Sequence, residues 1–136
     1  MLDLHTHTFF SDGAYVPAEL ARRCSVVGYR GLVLADHCDH SNLETVLDKT
    51  TRFCRQTGGG AHGVKMLPGC EISHVPPELV PDLVDRAREL GAEVVLVHGE
   101  SLAEPVVEGT NRAAVESGAD VLAHPGLVSQ TVAEKA

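Results

Sequence analysis

At 136 residues the chain allows one domain with a sizeable core, yet falls short of the about 250 residues of a typical eight-unit βα barrel. Hydrophobic residues at 43% and charged ones at 22% fit a soluble globular protein and exclude a disordered or collagen-like chain; no apolar run reaches the roughly 18 residues of a membrane span. The net charge of −8 argues against a broad nucleic-acid-binding surface, which is normally basic, and leaves room for a local cationic site built from bound metal.

Met1–Leu4 is a short apolar start. A helix is predicted from Pro17, with Glu19 in its first turn and Gly28 as its stop. Gly31–Ala35 reads as a buried strand, and Asn42 as the cap of a helix through about Gln56, ended by Gly58-Gly59-Gly60. Val64–Leu67 makes a third strand that leads into Pro68-Gly69-Cys70-Glu71. Pro76-Pro77 opens a helix through Leu90, with Leu79, Leu83, Ala87 and Leu90 on one face. Glu93–Val97 is the fourth strand, Thr110–Ser117 a helix, and Asp120–Ala123 the fifth strand.

The helix-to-strand joint recurs as Val27-Gly28-Tyr29-Arg30, Leu90-Gly91-Ala92-Glu93 and Ser117-Gly118-Ala119-Asp120. Strands that alternate with helices, without hairpin signals, predict an α/β fold with a parallel sheet. Leu32-Val33-Leu34 and Val94–Val97 are apolar throughout, as strands covered on both faces should be. With aromatics at 4% and no Trp, the core must rest on Val, Leu and Ala. Cys24, Cys38, Cys54 and Cys70 form no C-x-x-C pair, and the start lacks a signal-peptide layout; free thiols in a reducing cytoplasm are expected.

Histidine placement carries the chemistry. His5 and His7 follow the first strand, His37 the second, Glu71 the third, His98 the fourth and His124 the fifth. The steps are 32, 34, 27 and 26 residues, one βα unit each. Carboxyl ends of barrel strands converge on one face, where active sites form. In His5-Thr6-His7 the imidazoles stand at i and i+2, on one side of an extended chain. Imidazole and carboxylate suit Zn, Mn or Fe, and this many ligands predicts two or three divalent ions. Metals about 3.5–4 Å apart can clamp a phosphoryl group. A single histidine at a strand end is ordinarily structural; histidine or glutamate at five successive strand ends is not explained that way.

The remaining polar residues read less sharply. His62 sits in a Gly-rich loop and is read as solvated, while His40 and His74 are given loop roles. Cys38 and Cys70 flank His37 and Glu71 and are read as packing groups; Asp36 and Asp39 as orienting or capping ones. Glu100, at i+2 from His98, is a candidate for proton transfer or substrate contact, with Glu104 and Asn111 as candidate substrate-binding residues.

Asp3–Gly13, Ala35-Asp36-His37, Pro68-Gly69-Cys70-Glu71 and His124-Pro125-Gly126 resemble, in order, the first four motifs of the PHP (polymerase and histidinol phosphatase) family. Val97-His98-Gly99-Glu100 is similar to the strand-four segment of its histidinol-phosphatase-like members. The resemblance implies a distorted (β/α)7 TIM-like barrel with a three-metal site that hydrolyses phosphoesters, and this chain would cover about the first five units. It implies that His5, His7 and Glu71 hold one metal, Glu71, His98 and His124 a second, and His37 with Asp12 the third. A metal-bound hydroxide would attack phosphorus in a small phosphorylated metabolite, histidinol phosphate being the name-giving case.

Family members carry a further Asp-x-His motif, which nothing here matches. The chain ends at Thr131-Val-Ala-Glu134-Lys-Ala136, a capping box that starts a helix, so residues 1–136 are expected to be the N-terminal part of a PHP domain and not to act alone. Two other readings stand beside the phosphoesterase. One is a non-catalytic or polymerase-associated PHP module. The other is an amidohydrolase-type hydrolase, which would need a bridging carboxylated lysine; the nearest, Lys65, lies at the start of strand three.

Overall fold

The structure is a computed structural model that describes all of residues 1–136. Its main sheet runs β1 (Leu2–Thr6), β2 (Gly31–Leu34), β5 (Val64–Ile72), β6 (Val94–His98) and β7 (Val121–Ala123), in that spatial order and all parallel. Two short strands pair with β5: β3 (His37–Cys38) in parallel and β4 (Gly60–Ala61) antiparallel. Helices α1 (Pro17–Val27), α2 (Leu43–Gln56), α3 (Val80–Glu89) and α4 (Thr110–Glu116) provide the crossovers, and α5 (Gln130–Lys135) follows β7. The sheet curls into a half-barrel, an α/β partial TIM-like fold.

Burial follows strand parity. On the helix side, Ile72, Val95 and Val97 pack with Val46, Leu47, Leu83, Val84 and Ala87, and Ala21 packs with Leu32, Leu34 and Met66. A fully buried leucine such as Leu47 contributes about 1.5–3 kcal/mol relative to an exposed one. On the opposite face, Val33, Ala35 and Leu96 form a smaller cluster with Leu67, Val94 and Val121. Both faces of β2 are thereby covered, which is why its sequence does not alternate.

Several boundaries differ from the sequence reading. Strand β5 continues through Pro68, Gly69, Cys70 and Glu71, so Glu71 lies within a strand rather than after one. Pro68 stands in this central strand, opposite Leu34 of β2, and its carbonyl still accepts from Glu93 N–H. Strand β1 likewise reaches Thr6 and includes His5. The sequence reading lacked hairpins, yet β4 and β5 form one around His62-Gly63, both with positive φ (54° and 79°), as a two-residue hairpin turn of the primed type requires.

Helix starts also moved. Asn42 stands at the start of α2 but caps nothing; its Oδ1 accepts from Asp39 N–H and its Nδ2 donates to the His37 carbonyl. The third predicted helix opens as a 3-10 turn, Pro77–Leu79, before α3 begins at Val80. For α5 the cap is Ser129, whose hydroxyl accepts from Val132 N–H, rather than Thr131. No helix is long and apolar enough to cross a membrane.

Candidate metal centre

Glu71 is the hub of the site. Its side chain is fully buried, and four imidazoles close on its two oxygens. On Oε2 lie His5 Nε2 at 3.2 Å, His7 Nε2 at 3.4 Å and His37 Nδ1 at 2.8 Å; on Oε1 lies His124 Nε2 at 3.2 Å. The register explains the convergence. Glu71 pairs with His37 on one side and Leu96 on the other, and His98 pairs with Ala123, so neighbouring strand ends deliver their ligands side by side.

The donor set fits divalent metal. Both Glu71 oxygens and the Nε2 atoms of His5 and His7 are buried without a hydrogen-bond partner, although they face one another. Buried polar atoms in that condition are costly unless a cation satisfies them. Four groups of residues could each hold an ion, with ligand atoms within 4.8 Å of one another, and three of them surround Glu71 and its neighbours: His5, His7 and Glu71; Glu71, His98 and His124; and His7, Asp12 and His37. Glu71 belongs to the first two and can bridge them.

Neighbouring hydrogen bonds set the tautomers. His98 Nδ1 donates to the Gly99 carbonyl at 3.1 Å, which leaves Nε2 as the ligating atom. Ser73 Oγ donates to the Glu71 carbonyl at 3.1 Å and so accepts from His37 Nδ1 at 2.6 Å, turning His37 Nε2 toward Asp12 Oδ2 at 3.8 Å. His7 Nδ1 meets Asp12 Oδ1 at 2.7 Å, the carboxylate–histidine contact that orients a metal-bound imidazole.

Charge balance is consistent with this arrangement. Burial pushes the Glu71 carboxyl up, but contacts with His37, His5 and His7 outweigh it and hold the group well below the usual carboxylate range. The hydrogen bond from His7 likewise holds Asp12 low. Partial burial, helped by neighbouring His98, pushes His124 down and keeps it neutral for ligation.

Beyond the ligands, the structure redistributes roles. Glu100 and Asn111 bond to one another and to the start of α4. Glu100 Oε1 accepts from the N–H groups of Gly109 and Asn111, both at 2.9 Å, because free amides at the start of α4 attract a carboxylate. Buried Asn111 accepts from Glu100 N–H at 2.9 Å and donates to the Pro125 carbonyl at 2.8 Å. These bonds hold the loop between β6 and α4. Glu104 behaves otherwise: its Oε2 lies 2.7 Å from His98 Nε2. His74, read as a loop residue, has its ring centroid 4.9 Å from that of His98. Ser73 was missed, although at i+2 from Glu71 it shares the face of the ligand, and that spacing was the available signal.

A PHP domain family model matches residues 3–117. An uncharacterised protein of Methanocaldococcus jannaschii, MJ1295, is 42% identical over 133 residues, which cover 97% of this chain and 61% of the relative. The DNA polymerase/3′-5′ exonuclease PolX of Bacillus subtilis is 24% identical over 132 residues, covering 90% of this chain and 23% of PolX. The chain thus spans less than two thirds of either relative. No solved structure matches it.

Proposed function

The chain belongs to the PHP domain family, and from that premise we propose that its centre hydrolyses the phosphate ester of a small metabolite. The observation that carries the reading is the buried Glu71 carboxylate, shared by two ligand groups and short of hydrogen-bond partners. Two or three divalent ions, Zn, Mn or Fe, would be held by His5, His7, Asp12, His37, Glu71, His98 and His124. Such ions supply Lewis acidity to phosphoryl oxygens and acidify water near neutral pH.

The chain's own residues do the positioning. Asp12 fixes the His7 ring, Ser73 the His37 ring, and the Gly99 carbonyl the His98 ring. The Lys and Arg ion pairs involve Glu19, Glu44, Asp48, Glu89, Glu116 and Asp120, all outside the centre. With no Lys or Arg ion pair in the centre, a phosphate anion is drawn there chiefly by bound cations, so substrate binding depends on metal.

Neither relative's name mentions histidinol phosphate, and the proposal is for phosphomonoesters as a class. The likeness to PolX favours one second reading, a polymerase-associated module acting on phosphodiesters; the acidic charge of −8 favours small substrates instead. Free thiols at all four cysteines suit a reducing cytoplasm.

The test is turnover by the purified full-length protein, stripped with chelator and reloaded with Mn, Zn or Fe. p-Nitrophenyl phosphate should be hydrolysed only after reloading, and bis-p-nitrophenyl phosphate far more slowly. Metal bound without turnover of either ester would defeat the phosphoesterase reading, and preference for the diester would favour the polymerase-associated one.

A further inference from the structure

We propose that His74, His98 and Glu104 form an outer seat for a divalent cation, which competes with the inner seat of Glu71, His98 and His124 for the same imidazole nitrogen. The inference rests on the metal-dependent reading of the centre and adds a second position beside it.

The geometry begins at His98. This side chain is almost wholly buried, and its Nδ1 contact with the Gly99 carbonyl turns Nε2 toward Glu104. Glu104 Oε2 stands 2.7 Å from Nε2, a hydrogen-bonding distance. Imidazole and carboxylate thus already face one another where an ion would bind by separating them. His74 completes the group, its ligating atom within 4.8 Å of the other two. Two imidazoles and a carboxylate suit Zn, Co, Mn or Fe rather than Ca.

Glu104 is not carried on a loose arm. The segment between Gly99 and Gly109 is tied at its base, where Glu100 and Asn111 exchange backbone and side-chain bonds at 2.9 Å. Gly99 has no space for a side chain, since a Cβ there would stand 2.6 Å from Pro125 Cα and 2.7 Å from the Ala123 carbonyl oxygen. The loop therefore presents its carboxylate to His98 from a fixed base.

The two seats have only His98 in common, and one lone pair binds one ion. Occupancy is exclusive. Glu104 and His74 are exposed, whereas Glu71 is fully buried. An arriving hydrated ion meets the outer pair first, exchanges waters for His74 and Glu104, binds His98, and then trades those two ligands for Glu71 and His124. The outer seat is a loading position for the centre.

Cobalt(II) alone is the probe, because its visible absorption follows ligand replacement without any turnover. In stopped-flow mixing, Glu104→Gln and His74→Ala should each slow cobalt capture by about tenfold, with the final cobalt content unchanged. In a His124→Ala background, which weakens the inner seat, the cobalt equivalent held through His98 should persist and vanish when Glu104→Gln is added. Capture at the wild-type rate in both single variants overturns the proposal, as does loss of a cobalt equivalent from Glu104→Gln alone. Should His124→Ala fail to fold, the capture rates of the single variants still decide. A wild-type protein that takes up no cobalt would instead defeat the metal reading of the whole centre.

Discussion

Asp36 holds Thr8 by both ends: its Oδ1 accepts the Thr8 backbone N–H at 2.7 Å and its Oδ2 the Thr8 hydroxyl at 2.9 Å. Ser11 adds a third bond to Oδ1 at 2.9 Å. This fully buried carboxylate stands one residue before His37, and the loop it grips runs from His7 to Asp12. One side chain thus joins the two segments that supply the His7, Asp12 and His37 group.

Replacing Asp36 by Ala should destabilise the fold by about 1–3 kcal/mol for each buried donor left without a partner. Asp36→Asn should cost less, since the amide oxygen still accepts from Thr8 N–H. Both should weaken binding of the ion held by His7, Asp12 and His37 more than the one held by Glu71, His98 and His124. Urea unfolding and metal titration measure the two effects; an unchanged denaturation midpoint in Asp36→Ala would contradict the account.

In the metal-free protein the Glu71 carboxylate raises His7, burial opposes it and Asp12 adds to it, taking the imidazole from the ordinary 6.5 to about 9. A raised folded-state value stabilises fully below pH 6.5 and ceases to do so as pH rises through about 9. Metal-free protein should therefore lose stability across that window. Metal affinity should rise over it, because the ion must displace the proton. Calorimetric metal titration at pH 7.5 in Tris and in HEPES should differ in apparent enthalpy by about one released proton for His7. Identical enthalpies would mean that His7 is already neutral.

Thiol chemistry offers a check on the core. Burial raises Cys54 to about 11, and its contact with Cys70, together with burial, pushes Cys38 far above the ordinary range. Partial burial also raises Cys24. Thiolate is the reactive form, so native protein at pH 8 should react slowly with Ellman's reagent and release all four thiols only in denaturant. A rapid native burst at Cys38 or Cys54 would show that the helix-side packing is looser than described.

The convergence of His5, His7, His37, Glu71, His98 and His124 was legible in the sequence because each falls at or near the end of its own apolar run, about one βα unit apart. The parallel order of β1, β2, β5, β6 and β7 followed from the same alternation. Where reading stopped was in contacts between segments far apart in sequence. Spacing alone put Glu100 near His98, but only the fold shows the free amides of α4 taking its carboxylate. His74 lacks strand periodicity, and its approach to His98 depends on a positive φ of 56°, which sequence pattern does not announce. The hairpin at His62-Gly63 was masked by the surrounding glycines, which read equally well as loop.

Glu71 should prove indispensable to two ions at once. Its two oxygens serve different groups, so Glu71→Gln replaces one ligating oxygen by an amide nitrogen that cannot bind metal and removes the only formal charge shared by both positions. The variant should lose two metal equivalents by elemental analysis, whereas His98→Ala, which belongs to a single Glu71-centred group, should lose one. Glutamine keeps the volume of the buried side chain, so the metal-free variant should stay folded by circular dichroism. Without the carboxylate, the main cause of the elevated His7 value is gone, and the proton release seen for the wild type at pH 7.5 should shrink. Retention of both equivalents in Glu71→Gln would mean that the ions are held independently of this residue, and the shared-carboxylate account of the centre would fail.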